Sequence, residues 1–150
     1  MTVDLDARVR LHIFQVFVES GSPPTTQETA AAMSILESEA ADAFLRLAEA
    51  HAIVLEPGST DVWMANPLSA RPTDFDVRSV DGRRWHGVCA WDAPGVLAMV
   101  GSDGIVASSC PDCGEPIELV VANSEMRGPD GVVAHFLVPA KQFWDDIGFT

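Results

Sequence analysis

Apolar residues recur at helical intervals from the start of the chain. Val3, Leu5, Val9, Ile13, Phe14, Val16 and Phe17 follow the three- and four-residue spacing that places side chains on one helix face. Gly21 and Pro23-Pro24 end that run. Thr25-Thr26-Gln27-Glu28 has the Thr-x-x-Glu pattern, in which a hydroxyl and a carboxylate satisfy each other's free amides at a helix start, and a short helix through Met33 is expected. Ser34-Ile35-Leu36-Glu37 repeats the pattern before a third helix, with Ala40, Phe44, Leu47 and Ala48 along one stripe.

Past residue 50 the apolar runs shorten. His51 to Leu55 and Val62 to Ala65 flank the turn-rich Glu56-Pro57-Gly58-Ser59-Thr60, which predicts a hairpin. Three helices and a hairpin make a winged-helix-like N-terminal module over residues 1–66. Pro67 and Pro72 restrict the backbone that follows, so Pro67 to Thr73 is read as an ordered linker opening a second part, residues 67–150. Strands are expected at Phe75 to Val80 and Arg84 to Val88, around the hairpin signal Asp81-Gly82, and then at Gly104 to Ser108, Glu115 to Ala122 and Val132 to Val138. A short apolar helix is expected from Cys89 to Val100, with Asp92 as its cap and Pro94 in its first turn. The fold class is therefore α+β: a helical module followed by a mostly antiparallel or mixed sheet with short helices.

Composition and charge narrow the function. The chain is 47% hydrophobic and 21% charged, enough apolar material to build a core. Its formal charge of −13 repels phosphates. The third helix sets Glu37, Glu39, Asp42 and Glu49 against Arg46 alone, so no nucleic-acid partner is expected. The acidic, polar start does not read as a leader, and no apolar run approaches a membrane span. The expected location is cytoplasmic, with no membrane partner. The oligomeric state is not fixed by this reading.

In the cytoplasm thiols stay reduced, so Cys89, Cys110 and Cys113 are read as ligands, nucleophiles or core residues. Cys89 and Asp92 stand three apart and share a face if the segment is helical, where the helix N-terminus would lower the thiol pKa. On spacing alone, a buried core cysteine beside a helix-capping aspartate is the commoner arrangement. Cys110-Pro-Asp-Cys113 has the spacing of half a zinc knuckle; Cys89 or one of His12, His51, His86 and His135 would have to complete it. An unliganded turn and a dithiol redox pair remain open at the same place. His86 is a further candidate proton partner for Cys89, and the four tryptophans are expected mainly in the core.

Several of these segments together resemble the alkylmercury (organomercurial) lyase family: Gly82-Arg-Arg-Trp-His-Gly-Val-Cys89-Ala-Trp-Asp92-Ala, Ser108-Ser-Cys110-Pro-Asp-Cys113-Gly-Glu-Pro, His135-Phe-Leu-Val-Pro139 and Trp144-Asp-Asp-Ile-Gly-Phe-Thr150. The resemblance implies a winged-helix-like N-terminal part, a central sheet, and protonolytic cleavage of a carbon–mercury bond by two cysteines and an aspartate. It assigns Cys89 as the first catalytic cysteine and Asp92 as the catalytic aspartate. Cys110 falls at a further, structural cysteine of the family. The second catalytic cysteine is expected just after Phe149-Thr150, so the expectation is either a shortened relative, degenerate in catalysis, or a truncated form. No cofactor is required on this reading, and the ligand is a small organometal or another small molecule. Cys89, Cys110 and Cys113 are the candidate ligands of a soft metal ion, Hg or Zn. Two other functions stay open: a thiol-based metal-binding or regulatory protein, and a fold relative that uses Cys89 as nucleophile and Asp92 as acid or base on a non-mercury substrate.

Overall fold

The computed structural model describes residues 4–148. Val3, Phe149 and Thr150, on which parts of the sequence reading fall, lie outside the described residues. Helix α1 spans Leu5–Ser20 and buries Val9, Ile13 and Phe17, one residue per turn. It stops at Gly21, whose φ of 79° and N–H to the Phe17 carbonyl form a left-handed cap. Helix α2, Thr26–Met33, starts at the expected capping box: the Glu28 amide donates to Thr25 Oγ1 (3.1 Å) and the Thr25 amide to Glu28 Oε2 (2.7 Å). Helix α3, Glu37–Glu49, buries Ala40, Ala43, Phe44 and Leu47. Its start differs from the sequence reading. Ser34 is the left-handed cap that ends α2, and it is Glu39 that reaches back to the Leu36 amide (2.8 Å).

The strands are β1 (Val54–Leu55), β2 (Val62–Ala65), β3 (Leu68–Ser69), β4 (Asp76–Ser79), β5 (Arg84–Gly87), β6 (Gly104–Ser109), β7 (Pro116–Ala122) and β8 (Glu125–Arg127). They form one eight-stranded sheet in the order β1-β2-β3-β5-β4-β6-β7-β8, and every neighbouring pair is antiparallel. The architecture is α+β. Helix α4, Asp92–Val100, links β5 to β6 and lies against β3 to β7, burying Ala93, Val96 and Leu97. Those residues join Val77, Trp85 and Val106 of the sheet and Val9, Ile13, Phe17 and Phe44 of the helices in one core. Full burial of each large side chain stabilises by about 1.5–3 kcal/mol. No helix among the described residues is long and apolar enough to cross a membrane.

Residues 132–138, expected as a strand, pair with nothing in the sheet. The edge of β7 is already taken by β8, which returns through Asn123 and Ser124, both at positive φ (53° and 63°) as a tight two-residue hairpin turn requires. That segment instead runs irregularly into a 3₁₀ helix, Ala140–Asp145. Of the tryptophans, only Trp85 belongs to the core. Its indole N–H donates to the Val18 carbonyl (3.1 Å) and so ties the sheet to α1.

Candidate functional site

The site is built where β5 ends and α4 begins. Gly87, the last residue of β5, is held by its amide to the Phe75 carbonyl and by the Thr73 hydroxyl on its own carbonyl (2.7 Å). A Cβ at Gly87 would lie 2.5 Å from Ala93 Cα, so only glycine lets the first turn of α4 close against the strand. Two residues later the Cys89 carbonyl accepts from the Ala93 amide, and the chain is already turning helically. This turn brings Cys89 and Asp92 together: the thiol donates to Asp92 Oδ2 across 3.2 Å.

Asp92 is thus the first residue of the helix and does not cap it. The cap position is Trp91, which makes no side-chain cap hydrogen bond. The Asp92 side chain is given to Cys89. Burial raises the Asp92 carboxyl above its ordinary value, and the thiol hydrogen bond only partly offsets this. Burial also raises the Cys89 thiol; the Asp92 amide acts the other way, the Asp92 carboxylate reinforces the rise, and the Trp91 amide adds a small opposing effect. The low thiol pKa expected from the helix N-terminus is therefore overturned. The thiol hydrogen is directed at the Asp92 carboxylate.

Cys89, Asp92, Asn66 and the 76% exposed Trp91 line one side of a cleft of about 730 Å³. The other side is the irregular segment with Phe136, Leu137, Val138 and Pro139, and then Ala140 and Phe143 of the 3₁₀ helix. The Phe136 and Phe143 rings pack 5.7 Å apart. An acid–thiol pair on the wall of an apolar cleft can capture a soft electrophile on sulfur and move a proton to a neighbouring atom.

The alkylmercury lyase family profile matches residues 68–150, more than half of the chain, and includes both residues of the pair. The chain belongs to the alkylmercury lyase family. A solved structure titled the mercury-bound form of MerB2 shares its fold, with a TM-score of 0.63 at 22% identity. That likeness covers 80% of this chain and 58% of the MerB2 chain, so the present chain spans less than two thirds of that protein. Among curated proteins none matches.

None of the other cysteines or of the histidines picked out from sequence lines the cleft. Cys110 and Cys113 sit in the turn between β6 and β7, do not line the cleft, and are not gathered with Cys89: the described residues hold no group of three or more His, Cys, Asp or Glu side chains placed for a metal. The amides of Cys113 and Asp112, with the Cys113 side chain, lower the Cys110 thiol. His86 pairs in register with Asp76 and Ser69 and does not line the cleft. The sequence reading missed two contributors. One is Gly87, whose only signal was a small residue two positions before the cysteine. The other is the 136–143 wall, of which only residues 136–138 fell in the strand expected at Val132 to Val138.

Proposed function

We propose that this chain carries out the carbon–mercury protonolysis of its family, with Cys89 as the mercury-capturing thiol and Asp92 as the proton carrier. The observation that carries the reading is the 3.2 Å thiol–carboxylate contact on the wall of an apolar cleft. Mercury is a soft metal that prefers thiolate sulfur. As the sulfur–mercury bond forms and displaces the organomercurial's other ligand as its anion, the Cys89 proton passes to the Asp92 carboxylate along the existing hydrogen bond. A carboxyl whose pKa is raised by burial accepts and holds that proton more readily, 3.2 Å from the sulfur that now bears the metal. It then protonates the carbon as the carbon–mercury bond breaks. The proton lost by the thiol is the one gained by the hydrocarbon, the metal stays on Cys89, and Asp92 ends ionised as it began.

The aromatic and aliphatic wall suits the organic group, and the partial burial of Cys89 and Asp92 strengthens the charge interactions at the reacting atoms. The proposal includes a thiol-reducing, cytoplasmic setting, in keeping with three free cysteines. It includes no nucleic-acid partner: Arg46, the one basic side chain of α3, is engaged by Asp6 at 2.6 Å. The test is gas-chromatographic detection of benzene or methane from phenyl- or methylmercury. Release by the chain that is lost in both Cys89→Ser and Asp92→Asn supports the proposal. Release that survives Cys89→Ser overturns it.

A further inference from the structure

Two of the three thiols have no part in that chemistry, and they sit on the opposite side of β4 from β5, in the turn joining β6 to β7. The turn is closed twice by backbone, Cys110 N–H to Glu115 O (2.8 Å) and Gly114 N–H to Cys110 O (2.9 Å). Gly114 supplies the left-handed φ of 74° that lets the chain reverse. Six registered residue pairs below, from Ser109 with Pro116 to Gly104 with Val121, hold its base. In this frame Cys110 and Cys113 stand three residues apart in one tight turn, closed between them by Gly114 N–H on the Cys110 carbonyl, and the thiol pKa of Cys110 is lowered by its hydrogen-bonding surroundings, the Cys113 amide first. Cys113 is exposed, Cys110 is half-buried, and neither is in a disulfide.

Two properties decide what such a pair takes. The first is donor number. Although Asp112 and Glu115 belong to the same turn, no third His, Cys, Asp or Glu among the described residues is placed to hold a metal with the pair, so a zinc ion that needs four ligands is under-supplied. The second is donor type. Thiolates select soft ions, and a soft ion satisfied by two sulfurs needs nothing more from the chain. The strongly negative field of a chain with formal charge −13 also favours a cation over an anion at this exposed loop.

We propose that Cys110 and Cys113 form a second metal site, a surface two-thiolate chelate for a soft, two-coordinate ion such as inorganic Hg²⁺, independent of Cys89. On binding, two sulfur–metal bonds form and the two thiol protons leave to solvent. The site places a mercury trap on the outside of a fold whose cleft carries a separate thiol, and it stands whether or not the cleft cleaves carbon–mercury bonds.

The experiment uses the full, reduced chain carrying Cys89→Ser, loaded with mercuric chloride and challenged with rising glutathione. Bound mercury is measured by mass spectrometry after desalting, and the sulfur-to-mercury charge-transfer absorbance is followed. One ion per chain is expected to stay bound. Adding Cys113→Ser, an exposed change that circular dichroism should show to leave the fold intact, is expected to release the ion at a glutathione concentration on the order of 100-fold lower, because the second sulfur–metal bond is intramolecular. Cys110→Ser should act alike. Equal retention by the variant with and without Cys113 overturns the chelate. So does one zinc ion per chain that mercury fails to displace.

Discussion

The indole of Trp144 lies flat on the imidazole of His51, with ring centroids 4.0 Å apart and planes within 5° of parallel. Trp144 belongs to the 3₁₀ helix that carries Phe143, and His51 follows α3, so this stack pins the outer wall of the cleft to the helical end of the molecule. At Gly148 the chain again passes close to an aromatic, 2.5 Å between a would-be Cβ and the Trp63 ring. The wall lies outside the sheet ladder and depends on side-chain contacts of this kind. A ring stack contributes about 0.5–1.5 kcal/mol beyond its buried area. Trp144→Ala is therefore expected to speed amide exchange across residues 132–148 and to weaken organomercurial binding, leaving exchange in β4 to β6 unchanged. Unaltered exchange in the wall would refute the pinning role.

Asp92 makes stability pH-dependent in a stated direction. Its folded-state pKa is raised above 3.8 by burial, so its neutral form is the better tolerated one. The stability tied to that raised value is fully present below pH 3.8 and is lost as pH rises through the folded pKa. Asp92→Asn removes the buried charge but keeps the shape. The variant is expected to melt at the same or a higher temperature than the parent at pH 7, with the difference closing as pH falls below 4, and to release no hydrocarbon. A variant that is less stable at pH 7 and converges with the parent at higher pH would contradict the assignment.

The thiols should label in an order opposite to the one their positions in sequence suggest. Spacing put Cys89 at a helix start, correctly, and from that followed a reactive thiolate. What spacing does not carry is burial, and burial dominates at Cys89, whereas Cys110 lies in an open turn with amides aimed at its sulfur. Brief alkylation at neutral pH is expected to modify Cys110 first and Cys89 last. Peptide mapping with Cys89 labelled first would reverse this conclusion.

Gly87 shows how far the candidate site was legible in the sequence. The Cys89–Asp92 pairing followed from residues three apart at a helix start, and the capping box at Thr25 and the Asp81-Gly82 hairpin followed from local rules. The strand expected at residues 132–138 failed because pairing is decided by which edge is free, and β8 occupies it through a turn of Asn123 and Ser124 that carries no glycine. Gly87 was invisible for a related reason: its role is the closeness of Ala93, a tertiary fact. Gly87→Ala should overpack that contact, costing about 1–3 kcal/mol, and a chain of this size loses about 2–4 °C of melting temperature for each kcal/mol. It should also pull Asp92 away from Cys89, so hydrocarbon release is expected to fall more steeply than mercury capture. Activity and stability both at parental level would remove Gly87 from the positioning machinery.

The last prediction concerns stoichiometry. Cys89 is the one cysteine among the residues that line the cleft. The proton balance of the proposed reaction closes with that single thiol, since its proton reaches the carbon and its sulfur keeps the metal, but nothing in the cleft wall then offers a second sulfur to lift the mercury away. Without added thiol, the 150-residue chain is accordingly expected to release a burst of at most about one equivalent of hydrocarbon per Cys89 and to stop once the Cys110–Cys113 pair has also filled, the metal remaining on sulfur because of its preference for thiolate. Excess glutathione or cysteine should restore turnover by exchanging onto the trapped ion, and the burst should be unchanged in Cys110→Ser and Cys113→Ser, which lie off the cleft. Quenched-flow measurement of benzene from phenylmercury reads this directly. Many turnovers in the absence of added thiol would mean that another donor reaches the metal, and a burst abolished by Cys113→Ser would identify it.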